Sequence, residues 1–492
     1  MPGSFHNKLS WAGSAVALFG AAGIVFFAAF DHFSTRSNPY WGIFAWVVFP
    51  AIMLCGALGV AAGMARERVR RRSGDAASLE RFPIWDFNLA SSRRLLVILA
   101  VGAALFFPLS AVGSYHAYEV SESVPFCGSA CHTSMSPEHT AFAVSPHSAV
   151  KCVDCHVGPG ASGYVEAKTS GVRRLWKAVT NTYSRPIPPA LQNLPHSSAT
   201  CASCHAPGRL GPEIVRSFAH FAYDEANTPR QIDLLMNVGG RGDDGSAQGI
   251  HAHQSKHIEF GYLDENFQTI AWVRLTQPDG KVTEYRTDDP KVTKEIGDRA
   301  SRRVMDCADC HNRTGHTFET PDRAVNMALL HGRLDSSLPF LKKRSVELLA
   351  ARYETAEQAD VSIATGLRTF YAATRSSSAA ADEPKIAKAI DELRRIYHAN
   401  FFPEMKASWE TFPSNIGHFS SPGCFRCHGG TMKTAEGKMI PKDCALCHTV
   451  IGQSEGKSSV RIAGKEFTHP IDMGDLKDAT CVDCHTGKGI AQ

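Results

Sequence analysis

Seven short runs in this chain pair two cysteines with a histidine directly after the second. Six read C-x-x-C-H: Cys152, Cys155 and His156; Cys201, Cys204 and His205; Cys307, Cys310 and His311; Cys424, Cys427 and His428; Cys444, Cys447 and His448; Cys481, Cys484 and His485. The first run, Cys127 to Cys131 followed by His132, has one extra residue between its cysteines. Two thiols at this spacing add to the two vinyl groups of one haem, and the adjacent histidine ligates the iron. Zinc also uses C-x-x-C pairs, but a zinc knuckle does not require a histidine after every second cysteine. Histidine is only 22 of 492 residues, so seven such neighbours do not arise by chance. The pattern reads as seven covalently bound haem c groups. Fourteen of the fifteen cysteines are used in this way. The last, Cys55, sits in an apolar run and reads as a small buried hydrophobe. No cysteine remains for structural disulfides, so the haems must do the stapling that disulfides do in other exported proteins.

A low-spin electron-transfer haem needs a second axial ligand. Beyond the seven motif histidines and His6, His32 and His116 near the N-terminal part, twelve histidines are available. His147, His316, His418 and His469 lie close to motifs and lead the pool, followed by the pair His251 and His253 and by His220. His331 and His398 fall in expected helices and read as surface or core residues; His139, His196 and His257 complete the pool. Met135, three residues after His132, is within reach of the first haem, where a thioether would raise the potential above that of a bis-histidine haem. A gap-filling core methionine is the plainer alternative.

These groups must be carried by something. Three apolar stretches precede the first motif, at Leu9–Phe30, Trp41–Gly63 and Leu95–Ser114, each about long enough to cross a bilayer as a helix. The third contains Pro108, which neighbouring helices can accommodate. A cleavable signal peptide is the rival for the first stretch, but its basic start is weak and its apolar run long. Arg66, Arg68, Arg70, Arg71, Arg72, Arg81, Arg93 and Arg94 lie between the second and third stretches, against Arg36 alone in the earlier loop. The positive-inside rule puts the arginine-rich loop and the N-terminus in the cytoplasm, and everything after about Tyr115 outside. Haem attachment takes place on that side in bacteria, so motifs and topology agree. The arginines are a topology signal rather than a nucleic-acid patch. Beyond residue 114 the chain has 42 basic and 43 acidic side chains. The haem propionates then make the exterior mildly acidic, suited to basic partners. No nucleic acid is implied.

The motifs group as three in 127–205, one at 307–311 and three in 424–485, separated by two haem-free stretches. In the first stretch, Ile270 to Leu275 and Lys281 to Arg286 flank Pro278-Asp279-Gly280, which predicts a β-hairpin. The second, roughly Leu341–Trp409, predicts two or three helices broken near Ser376–Pro384. The expected architecture is mainly α: three N-terminal transmembrane helices and a periplasmic multihaem c-type cytochrome ectodomain with a small β insertion. Its expected divisions are a membrane domain (1–114), a three-haem domain (115–206), a haem-free insertion with the hairpin (207–306), a single motif with a helical segment (307–423) and a C-terminal three-haem domain (424–492).

Residues 95 to 206 resemble the NapC/NirT family of membrane-anchored periplasmic quinol dehydrogenases. The resemblance rests on the third apolar stretch, Cys127 to Met135, Ser145-Pro146-His147, Cys152 to Gly160 and Tyr164 to Gly171 with Lys168. The full chain, with three helices and seven motifs, looks like the larger inner-membrane cytochromes of metal-respiring bacteria; Asp306 to Arg313 and Asn415 to His428 share that likeness. The resemblance implies a first haem beside the membrane, ligated by a methionine and reduced by quinol. It also implies a lysine lining the quinol pocket about a dozen residues after the second motif's histidine, a position that Lys168 matches. Two departures bear on the first haem: three residues separate its cysteines, and Met135 is one position later than in the small family members.

On this reading menaquinol from the quinone pool binds near the outer end of the third helix, around Tyr115, His116 and Tyr118 with Lys168 opposite. The ammonium would stabilise charge developing on the quinol oxygen. Tyr115 and Tyr118 also suit an interfacial aromatic belt, and Lys168 a solvated surface. Electrons would leave through the C-terminal cluster to periplasmic c-type cytochromes, in anaerobic or metal respiration. The sequence leaves open a homo-oligomer or partner subunits. Two rivals stand: a terminal reductase with an open iron position, and a relay subunit whose quinol chemistry belongs to a partner. No phosphate-binding glycine loop or nucleophile elbow supports a nucleotide enzyme or hydrolase.

Overall fold

The computed structural model describes residues 5, 7–33, 48–72, 87–129, 132–158, 160–190, 194–197, 200–205, 211–240, 248–374, 379–456 and 458–461. Cys131, His469 and the motif Cys481 to His485 lie outside the described residues. The chain divides into two units, residues 1–126 with 157–173, and residues 127–156 with 174–492.

In the first unit, α1 (Lys8–Phe33) and α2 (Phe49–Arg72) are each long and apolar enough to cross a membrane. At their glycines the two backbones come into close contact. A methyl group on Gly13 would stand 2.6 Å from the Val60 nitrogen, and one on Gly56 2.3 Å from the Ala17 nitrogen. Lipid supplies no hydrophobic drive between helices, so such close approach of small residues is what packing in a bilayer uses. Phe27 and Phe49, stacked at 5.3 Å, form a buried contact between the same helices. Cys55 is exposed on α2 and not buried as expected, because the face toward α1 is taken by its neighbour Gly56. The first seven residues of the expected second stretch, 41–47, lie outside the described residues. The third apolar stretch is part of α3 (Ala90–Ser121), a 32-residue helix that runs seven residues past its expected end.

In the second unit β-structure is more extensive than the small insertion expected. Among the described residues nine antiparallel strands make two sheets: β1 (Ile214–Phe221), β2 (Pro229–Met236), β3 (His257–Tyr262), β4 (Ile270–Thr276), β5 (Val282–Thr287), β6 (Ser301–Val304), β7 (Met432–Lys433), β8 (His448–Glu455) and β9 (Ser458–Arg461). Their orders are β1-β2-β8-β9 and β6-β3-β4-β5-β7. The expected hairpin is β4–β5, with Thr276 opposite Val282 and a turn closed by the Gly280 amide on the Gln277 carbonyl at 2.9 Å. Gly280 has φ +83°, which glycine adopts without strain. Pairing of β2 with β8 and of β5 with β7 joins the stretch before the fourth motif to the segments after the fifth and sixth.

The helical stretch forms its own core. In α4 (Pro321–Leu330), α5 (Leu341–Ala350), α6 (Ala356–Thr374) and α7 (Ala379–Asn400), apolar residues recur at helical spacing and face inward. Val346, Leu349, Ile363, Leu367 and Leu393 are wholly buried there. Thr320 caps α4 by accepting from the Arg323 amide, with Pro321 at the first turn. A second core under the five-stranded sheet includes Phe260, Phe267, Val273 and Met432. The fourth and fifth motifs lie against it, through Ala308 and Cys427.

Candidate functional site

Among the described residues, five motif histidines each face a second histidine. Ring centres are 6.0 Å apart for His156 and His316, 6.0 Å for His205 and His147, 6.3 Å for His311 and His251, 5.9 Å for His428 and His253, and 6.0 Å for His448 and His418. This spacing is too wide for ring stacking and too regular for accident. Two imidazoles bound on opposite sides of one metal ion, with bonds of about 2 Å, put their ring centres roughly 6 Å apart. All five partners are among the seven histidines favoured from the sequence.

Hydrogen bonds set the imidazole tautomer. Nδ1 of His251 lies 2.8 Å from the Val238 carbonyl, that of His253 2.9 Å from Ile250, that of His316 3.1 Å from Glu138 and that of His428 2.6 Å from Pro441. A carbonyl only accepts, so each ring carries its proton on Nδ1 and leaves the Nε2 lone pair for a metal. The Nδ1 atoms of His147, His418 and His448 are buried with no hydrogen-bond partner. Desolvation, then the neighbouring His316, pushes His156 down to about 4. Desolvation also lowers His253, His311, His316, His418 and His448. Neutral imidazole is the ligating form. Paired rings, free nitrogens and adjacent cysteine thiols together fit haem c.

Local structure fixes the motifs. Each described C-x-x-C-H run is a single helical turn; at the fourth, Asp306 and Asp309 form a capping box, the Asp306 carboxylate accepting from the Cys307 amide at 2.6 Å. Asp306 also accepts from the Ser197 amide at 2.8 Å, which ties the approach to the third motif onto the fourth. Burial works to raise the Asp306 carboxyl, but the Ser197 hydroxyl, the Ser197 amide and the Cys307 amide hold it below its ordinary value. Arg426 of the fifth motif donates to the Asp309 carbonyl at 3.0 Å and to the Phe267 carbonyl at 2.6 Å. Asn415 adds a bond to the same Asp309 carbonyl at 3.1 Å.

The remaining candidates are placed differently. His220 lies beside Phe419, its Nδ1 2.9 Å from Asn326 Nδ2, and no motif histidine among the described residues faces it at the spacing of the five pairs. Met135 is half-buried on the helix His132–Ala143, one turn from His132, whose side chain lies outside the described residues. The ring of His139 covers Gly128 of the first motif so closely that a methyl there would lie 2.2 Å from it.

In the first unit, Lys168 reaches the end of α3. Its Nζ donates to the Ser121 hydroxyl at 2.9 Å and to the Ser121 carbonyl at 3.2 Å, and lies 4.9 Å from the centre of the Tyr164 ring. Glu122, 3 % exposed, has its Oε1 3.9 Å from that ammonium, and this oxygen is buried without a hydrogen-bond partner. Desolvation and then the Glu122 charge raise the Tyr164 phenol. Tyr118 joins the cluster, 6.0 Å from Tyr164. Tyr115 packs on Phe27 and Phe49 and donates to Glu119 at 3.1 Å. The sequence reading named Lys168 but missed Ser121 and Glu122. An acidic residue just past the end of an apolar helix was the signal available for Glu122.

The family described as the NapC/NirT cytochrome c family, N-terminal region, matches residues 89–187. The chain is also 38% identical over 484 residues to the cytochrome c-type protein ImcH of Geobacter sulfurreducens, covering 98% of this chain and 96% of that one. No solved structure gives a significant match.

Proposed function

This chain belongs to the NapC/NirT cytochrome c family, as a membrane-anchored multihaem cytochrome of electron transfer, and we propose that it is a quinol dehydrogenase. It takes electrons from menaquinol at the membrane and delivers them through seven haems to periplasmic c-type cytochromes. The observation that carries the quinol step is the cluster at the end of α3 of Lys168, Ser121 and the buried Glu122, whose Oε1 has no hydrogen-bond partner.

Quinol becomes quinone by losing two protons and two electrons. Covalent haem c, when bound, supplies one-electron carriers for those electrons. The protein must handle the protons. Lys168, held by Ser121, presents an ammonium to the quinol oxygen and stabilises negative charge as the O–H bond weakens. Glu122 accepts one proton at Oε1, which is buried with no hydrogen-bond partner, and the second proton leaves to water at the membrane surface. Tyr118 and Tyr164 offer aromatic walls for a flat ring.

The seven Cys-x-x-Cys-His-type motifs would hold the haems, with His316, His147, His251, His253 and His418 as the residues that would ligate five of them opposite the motif histidines they face. Met135 serves the first haem, and His469 or His220 the last. With the N-terminus in the cytoplasm, α3 is a third crossing and the haem-bearing part lies in the periplasm.

The test uses purified protein in detergent, a menaquinol analogue, and the reduced-haem absorption band with and without a quinol-site inhibitor. Rapid, inhibitor-sensitive reduction of several haems supports the reading. Haems that respond to dithionite but not to quinol would instead favour a relay subunit fed by a partner.

A further inference from the structure

One turn of the second unit touches two motifs at once. The 3-10 segment Gly249–Ser255 has His251 facing His311 and His253 facing His428, although those motif histidines belong to widely separated stretches of chain. We propose that this turn is a double axial clamp. His251 ligates the iron held on Cys307 and Cys310, His253 ligates the iron held on Cys424 and Cys427, and the two haems work as one closely coupled pair. The inference rests on the haem reading above, and on nothing about quinol.

Three sets of contacts converge on it. On the clamp side, both rings are fixed by Nδ1 bonds to the Val238 and Ile250 carbonyls, so both present Nε2. Gln254 of the same turn donates to the Cys307 sulfur at 3.6 Å, which seats the turn on the fourth motif. On the motif side, Arg426 sits inside the fifth motif and donates to the Asp309 carbonyl inside the fourth. The two attachment loops are therefore pinned together on one side and share a ligand turn on the other. A ligand turn of this kind has a physical consequence. With Ala252 alone between the two ligands, neither imidazole can move without disturbing the other, so loss of one ligand is felt at both irons.

Ring orientation gives each member its own signature. The His251 and His311 planes are 6° apart, whereas those of His253 and His428 are 69° apart. Among the five pairs these are the extremes. Parallel imidazoles split the iron d orbitals and give a rhombic low-spin EPR signal. Near-perpendicular imidazoles leave those orbitals almost degenerate and give a strongly anisotropic one.

The experiment uses the full-length, haem-loaded protein and three variants: His251→Gly, His253→Gly and, as a control on the adjoining strand β3, His257→Gly. Covalent haem content is measured by pyridine haemochrome and ligation by EPR, with and without added imidazole. His251→Gly should remove one component of the rhombic signal and His253→Gly one component of the strongly anisotropic signal. Each should turn roughly one haem in seven high-spin, and imidazole should restore it. The signal that remains in each variant should shift, and His257→Gly should match the wild type. Full haem content with both clamp variants still low-spin, or with both losing the same signal, overturns the clamp alone. A wild type without covalent haem overturns the haem reading and the clamp with it.

Discussion

Glu122 Oε1 lies 3.9 Å from Lys168 Nζ, inside the reach of an ion pair but beyond that of a hydrogen bond, and it is buried with no other partner. A carboxylate left in that condition is costly unless something completes it. A quinol hydroxyl is a donor of the right kind. Glu122→Gln keeps the shape and removes the proton acceptor, so reduction by menaquinol should slow by about 10²-fold. Reduction by dithionite should be unaffected. Stopped-flow traces of the haem band decide it, and an unchanged quinol rate would remove Glu122 from the mechanism.

His316 offers a test that does not depend on quinol. It belongs to the fourth motif's neighbourhood but faces His156 of the second, with its Nδ1 on the Glu138 carbonyl. His316→Met should therefore change the haem on Cys152 and Cys155. A thioether in place of an imidazole should raise that haem's potential by on the order of 0.1–0.3 V, within the roughly 0.8 V span that axial ligands command. A spectroelectrochemical titration should show one component moved upward and the rest in place.

Much of this was legible in the sequence because the chemistry is local. A C-x-x-C-H run declares its own role, and the Pro278-Asp279-Gly280 turn declares the β4–β5 hairpin. The helices α5 to α7 follow from apolar spacing alone. What could not be read was pairing at a distance. Nothing in the sequence near His253 says that it faces His428, because that meeting depends on the second core and on Arg426. Strand β2 has no local sign that its partner is β8, so the sheets were underestimated. Glu122 was missed for the same reason: the Lys168 ammonium that it meets comes from a distant helix.

Membrane packing makes a contrast between adjacent residues. At Gly56 any side chain meets the Ala17 nitrogen at 2.3 Å, while Cys55 is exposed. Gly56→Leu should force α1 and α2 apart and lower both the yield of protein in membranes and its resistance to thermal aggregation in detergent. Cys55→Ala should stay within about 0.5 kcal/mol of the wild type. Equal behaviour of the two variants would mean that α1 and α2 do not pack through this face.

Asp322 and Lys342 form a fully buried ion pair at 2.6 Å inside the helical core, with Tyr223 donating to Asp322 at 2.5 Å and Lys342 donating to Asn326 at 2.7 Å. Burial pushes the Lys342 ammonium down, with Asp322 pulling the other way. Burial also works to raise Asp322, but the charges of Lys342 and His220 and the bonds from Lys342 and Tyr223 hold it below 3.8. A carboxylate with a depressed folded pKa stabilises the fold above its unfolded value, and that contribution is lost as pH falls through the lower folded one. The wild-type helical core should thus weaken only below its unfolded value of 3.8. Lys342→Met strands the carboxylate and should cost about 3–5 kcal/mol near neutral pH. Its sign then reverses. Without the lysine, burial raises the Asp322 pKa above the unfolded value, so the folded state binds the extra proton and the deficit shrinks on acidification from about pH 7 to pH 4. Adding Asp322→Leu should recover most of the loss at neutral pH, because no buried charge is then left unpaired. Thermal unfolding followed by helical circular dichroism across that range tests both claims, and a Lys342→Met deficit that grows on acidification would show that Asp322 is not the stranded charge.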